Sequence, residues 1–219
     1  LDAVASRLLT GLAQHTPVLA GINGPVMVDL DDTIIEVHGY AKQGSGYGYS
    51  GVRGLNALIA TVTTDEGAPI ITGQRLRKGA CGSPRGAARI IGDTLATVKR
   101  LRSPHAATRP LLRADSAFYG HPSVAAARRG GADVSITVRL DPKVKAAISA
   151  IDEHAWTPIE YTDAIYDENT GRWISRAEVA EIDFTARLSR AQRRARSRVS
   201  RHIAALDGRS CGGAQTAKS

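Results

Sequence analysis

Cysteine is nearly missing from these 219 residues: only Cys81 and Cys211 occur, and neither has ligand-like neighbours. That excludes a disulfide framework and a zinc-ligand spacing, and it fits a reducing, cytoplasmic setting. Long apolar runs are lacking too, and none approaches the roughly 20 residues needed to span a bilayer. No membrane association is expected. The N-terminal LDAVASRLLTGLAQ has no basic stretch ahead of an apolar one, so no signal peptide is expected. It also lacks an initiator Met, which reads as a fragment or a start within a longer gene. Internal repeats are absent. What remains is 42% hydrophobic, enough for one large domain, or one domain plus an appendage.

Net charge is likewise lacking over most of the chain. Residues 187–219 hold eight arginines and Lys218 against Asp207, which accounts for the whole formal charge of +8. The first 186 residues are neutral. A basic run of this kind reads first as a solvated tail. Its second reading is a nonspecific, salt-dependent grip on a phosphate backbone, with Arg193, Arg194 and Arg196 at its densest point.

Apolar periodicity sets the expected elements. Val4, Leu8, Leu9 and Leu12 recur at helical spacing. Val26–Val37 reads as a strand, and the Gly- and Tyr-rich GYAKQGSGYGYSG as a hairpin loop in which Tyr47 and Tyr49 read first as packing residues and second as platforms for stacking on DNA bases. Leu55–Thr63 and Pro69–Leu76 follow as strands of an antiparallel meander. Ser83-Pro84 reads as a cap and first-turn proline for a helix with the stripe Ala87, Ile90, Ile91, Leu95, Val98 and Leu101. Leu111–Ala114 is a fourth strand, Ser123–Arg129 a helix closed by Gly130-Gly131, and Val134–Leu140 a fifth strand. Three strands, helix, strand, helix, strand is the order of a ribonuclease H-like α/β mixed sheet. The expected division is a core over 1–142, a partial strand-rich insertion over 143–185, and a basic, disordered or frameshifted tail over 186–219. Within the insertion, Lys143–Ile151 reads as helix and Ile159–Phe184 as strands about a turn at 167–171. Trp156 and Trp173 are expected to pack there.

The chemistry is concentrated in PVMVDLDDTIIEVHG, where Asp29, Asp31 and Asp32 interrupt a buried-strand pattern. A carboxylate in such a strand is costly without a partner or a metal. A second strand, PLLRADSAFYG, ends in Asp115. Two strand-borne acids far apart in sequence suggest a divalent-metal site. Asp115 also has a bland reading as a turn residue. Arg113 shares its strand face and reads as a partner for it or as a phosphate contact. His38 and His121 lack metal-ligand spacing.

The segments VDLDDTIIEVHGYAKQGSGYGYSGVRGLNALIATV, LRKGACGSPRGA and LLRADSAFYG, in that order, resemble the catalytic domain of DDE transposases from bacterial insertion sequences. The resemblance covers about residues 1–185. It implies Mg²⁺- or Mn²⁺-dependent strand cleavage and transfer at transposon ends, double-stranded DNA as partner, and a homodimer as candidate assembly. The first catalytic and metal-binding acid would be Asp31, in the Asp-x-Thr context completed by Asp32 and Thr33, with Asp29 as runner-up. The second would be Asp115. The family's third acid is a Glu, set in a pattern of Tyr, Arg three residues on, and Glu four further on. No such pattern occurs in these residues. The chain therefore reads as truncated, or frameshifted near residue 186, and inactive or nearly so by itself. Two alternatives stand beside this reading. DLDDT also matches the first motif of haloacid-dehalogenase-like phosphatases, with Asp29 as nucleophile, Asp31 as acid/base and Thr33 on phosphate. A non-catalytic DNA-binding remnant is the other.

Overall fold

The computed structural model describes residues 2–39, 41–168, 171–184, 195–203 and 215–218. The chain divides into two compact units, Leu1–Ile136 and Thr137–Ser219. Both helices and strands are present, as the α/β expectation requires.

The first unit holds α1 (Asp2–Ala13), β1 (Val26–Glu36), the two-residue β2 (Gly46–Tyr47), β3 (Arg53–Thr64), β4 (Gly67–Lys78), α2 (Ala87–Leu101), β5 (Leu111–Ala114), α3 (His121–Arg129) and β6 (Asp133–Ile136). Its sheet runs β2-β3-β1-β5-β6, with β4 also paired to β3. β1 and β4 are each antiparallel to β3, so they run the same way. β5 lies parallel to β1, and β6 parallel to β5. Parallel neighbours need a crossover, and α2 and α3 supply the two. The C-terminal ends of β1, β4 and β5 therefore share one edge of the sheet.

Alternation on β1 sends Val26, Val28 and Leu30 into the core. There they meet Leu58, Ala60 and Val62 of β3, Leu112 of β5, and the predicted α2 stripe Ala87, Ile90, Ile91, Leu95 and Val98. The stripe expected on α1 is not buried: Val4, Leu8 and Leu12 are exposed and only Leu9 packs on the core. α1 meets α2 through a polar contact instead, with Ser6 and Thr97 hydroxyls 2.8 Å apart.

Two local expectations change. Helix α2 starts at Ala87, not after Ser83-Pro84, and its N-cap is Gly86 at φ 83°, with no side-chain cap. The Ser83 and Arg85 carbonyls accept from Arg77, which holds this segment as a turn. The strand expected to reach Leu140 stops at Ile136, where the first unit ends.

The second unit holds α4 (Pro142–Ser149), β7 (Thr157–Asp167), β8 (Arg172–Phe184), β9 (Ala195–Ile203) and β10 (Gln215–Lys218), with the strands in the order β10-β9-β8-β7. Asp141 caps α4 by accepting from the Lys143 and Val144 amides. Trp156 is buried, but Trp173 is exposed, with the Tyr166 ring 5.4 Å away. Strand structure continues past residue 186, where alternation was expected to stop. β9 pairs with β8 from Arg176↔Ile203 to Phe184↔Ala195. The register sets Glu178 opposite Arg201, Glu181 opposite Arg198 and Asp183 opposite Arg196. The backbone pairing thus extends over arginines that read as a solvated tail. The rest of the predicted tail, 186–194, 204–214 and 219, lies outside the described residues. Among the described residues, no helix is long and apolar enough to cross a membrane.

Candidate active site

Asp29, Asp31 and Asp32 lie within β1, Asp115 follows the last residue of β5, and the sequence alone ranked the four by motif. Their partners separate them physically. Asp29 and Arg113 are register partners on β1 and β5. Arg113 donates to both Asp29 oxygens, Nε to Oδ1 at 2.6 Å and Nη2 to Oδ2 at 2.9 Å. This bidentate geometry is the strongest an arginine–carboxylate pair can adopt. The Asp29 hydrogen bonds hold the Arg113 guanidinium above its ordinary pKa, while partial burial pulls the other way. Arg113, expected on Asp115 or on phosphate, is thus committed to Asp29.

Asp32 points to the opposite, buried face of β1. Its Oδ2 accepts from Arg77 Nη2 at 2.9 Å and from the Asn56 amide. The pair is sequestered, with 5% of the Asp32 side chain and 9% of the Arg77 side chain exposed. Arg77 also donates to Asn56 Oδ1, at 2.8 Å from Nε. Its Nη1 reaches the Ser83 and Arg85 carbonyls at 3.0 and 2.6 Å. An arginine has five N–H donors, and this one distributes them over β1, β3 and the loop before α2. The loop packs so closely that a Cβ at Gly79 would overlap the Gly54 and Gly46 carbonyl oxygens. Glycine is required there.

Asp31 and Asp115 remain. The parallel register ends at Leu30↔Ala114, and each of those residues is followed by one of these aspartates. Asp31 shares its face with Asp29 by alternation. Asp115 lies two residues past Arg113 on extended backbone (φ −80°, ψ 179°). Both are exposed. Asp31 Oδ1 accepts the Asp32 amide at 2.8 Å, and Asp115 Oδ1 accepts the Ala117 amide at 2.9 Å, capping a short 3₁₀ turn. Among the described residues, neither has a cationic partner.

Two exposed carboxylates of like charge on one face suit a hard divalent cation that keeps water and substrate oxygens as further ligands. No cluster of three or more His, Cys, Asp or Glu able to hold a metal occurs among the described residues. Thr33 is exposed on the same strand. Tyr47 and Tyr49, expected to pack in the loop, are 68% and 73% exposed, and the Tyr49 hydroxyl donates to the Asp32 carbonyl at 3.4 Å. Arg193 and Arg194 lie outside the described residues, and Arg196 is a β9 position.

Asn56 and Arg77 escaped the sequence reading. An Asn inside the apolar run LNALIA must find a buried partner, and that was the available signal. Arg77 gave none, since it reads as a strand-end charge.

The chain matches the family model described as "Transposase DDE domain group 1" over residues 12–209. Among solved structures, it is similar to the piggyBac transposase in a cryo-EM synaptic complex with hairpin DNA. That similarity has 12% identity and a TM-score of 0.40, and covers 77% of this chain and 35% of that one. The chain thus spans about a third of that protein's length. No curated protein matches.

Proposed function

Since the chain belongs to the DDE transposase family, we propose that its first unit is a ribonuclease H-like catalytic core acting on DNA at transposon ends, with Asp31 and Asp115 as the acids that hold Mg²⁺ or Mn²⁺. The observation that carries this reading is the sorting of the four aspartates. Arg113 and Arg77 neutralise Asp29 and Asp32, and the two left without a cation are those that match the family motif.

Each residue then has a task. Asp31 and Asp115 follow the last register pair of β1 and β5, and a shared cation would relieve the repulsion between their carboxylates. The bidentate Asp29–Arg113 pair removes a competing ligand from the same face. Asp32 anchors the strand behind Asp31, so that the exposed carboxylate is fixed before substrate arrives. Bound Mg²⁺ would supply activation of a water or 3′-hydroxyl nucleophile and stabilisation of the leaving oxygen. The Tyr/Arg/Glu pattern does not occur in the 219 residues. These residues thus carry two of the three acids and are by themselves inactive, or nearly so. The bidentate Arg113 contact speaks against the phosphatase alternative, which needs Asp29 as a free nucleophile.

The test reads binding, not turnover. Mn²⁺ should raise the affinity of the chain for a DNA duplex, because the cation takes ligands from both carboxylates and phosphate. Asp31→Asn and Asp115→Asn should each abolish that increment while leaving the metal-free affinity intact. Asp29→Asn should retain it. An increment that survives in both of the first two variants rejects the reading.

A further inference from the structure

A second feature at the same sheet edge has no part in the acid pair. β4 and the loop before α2 enclose an open groove of about 640 Å³. Arg75, Arg77, Lys78 and Arg85 line it, and no Asp or Glu does. Arg75 is paired with Asp93, and Arg77 with Asp32. Lys78 and Arg85 are exposed and, among the described residues, have no carboxylate partner. Gly86, the uncapped start of α2, also lines the groove, and the first turn of α2 holds no acid. The positive end of that 15-residue helix adds to the same field.

Alternation and register locate Lys78 at the rim of the groove. Arg75 and Arg77 share the buried face with Asp32 and reach α2 and the loop before it, so of the three β4 cations only Lys78 lies on the face of Asp31. Asp31 pairs with Ile59, and Ile59 with Gln74. Lys78 is thus four residues further along and two strands across, about 13 Å by about 10 Å at ordinary sheet spacings. The diagonal, about 16 Å, is too far for the phosphate held at the acids. It matches about five base pairs of duplex at 3.4 Å each.

Resting on the transposase reading above, we infer that this groove holds the DNA backbone flanking the cleavage point, with Lys78 and Arg85 as its phosphate contacts. It takes the role that sequence reasoning gave to Arg113. The buried Arg77 acts here as a positioning residue, fixing the loop that carries Arg85.

The test uses the full chain without metal and a mixed-sequence DNA duplex. Lys78→Gln/Arg85→Gln should lose about tenfold in affinity at low salt, and its salt slope should fall by about 1.8, the value for two phosphate contacts. Lys99→Gln/Arg129→Gln removes the same charge from the last turns of α2 and α3, at the opposite end of the sheet, and should change little. A variant-independent check uses Cys81, which also lines the groove. In a Cys211→Ser background, DNA should slow its alkylation. Equal slopes in the two double variants, or unchanged Cys81 alkylation, overturn the inference. Loss of the Mn²⁺ increment in Asp31→Asn reads the acid pair alone, so the groove and the catalytic reading can fail separately.

Discussion

Asp31 and Asp32 are adjacent in sequence and stand on opposite faces of β1, where they meet opposite fates. On the buried face, Asp32 is bound by Arg77 and Asn56 and closed off from solvent. On the open face, Asp31 accepts one backbone amide and keeps the rest of its carboxylate free. The same division recurs along the open face, where Arg113 takes Asp29 and leaves Asp115. Position in the motif therefore does not decide which acid is paired; the arginine that arrives from another strand does.

The largest expected effect comes from breaking the buried side. Arg77→Ala leaves the Asp32 carboxylate buried without its counter-charge, and loss of one partner of a buried pair costs about 3–5 kcal/mol. Urea unfolding should show that drop. Asp32→Leu/Arg77→Met should recover part of it, since replacing both partners by apolar groups is often near neutral. Recovery stays partial because the Ser83 and Arg85 carbonyls lose their donor as well. On the open face, Arg113→Met should cost no more than about 1 kcal/mol, because the pair is partly solvated. A cost as large as that of Arg77→Ala would erase the contrast between the two faces.

The smallest effect belongs to the second unit. Glu181→Lys places like charges opposite each other at Arg198 and should cost about 0.2–1 kcal/mol by thermal unfolding. Adding Arg198→Glu should restore the loss. No recovery in the double variant would mean that the β8–β9 register does not depend on charge.

Much of the first unit was legible because apolar periodicity is local. The α2 stripe and the β1 alternation could be read directly, and they are the residues of the core. The proposed acid pair rests on the motif that the sequence carries. What could not be read was which acids are neutralised. Alternation gives the face of Asp32 and of Arg77, but not that strands 45 positions apart bring them within 2.9 Å. The cap of α2 was misplaced for the same reason, since a distant arginine holds the preceding turn. β9 was missed because one alternating set (Arg196, Arg198, Ser200, His202) is wholly polar and the other is interrupted by Ser197 and Arg201, which leaves a weak hydrophobic signal; acids of β8 lie opposite three of its arginines in register.

The central claim is that Asp31 and Asp115, and not Asp29, hold a divalent cation. Mn²⁺ titration followed by electron paramagnetic resonance tests it on the chain without DNA. One weak site is expected. Asp31→Asn and Asp115→Asn should each weaken it by about tenfold or more, as loss of one of two carboxylate ligands requires, and Asp29→Asn should leave it nearly unchanged. A site that survives both substitutions, or that disappears with Asp29→Asn alone, contradicts the account.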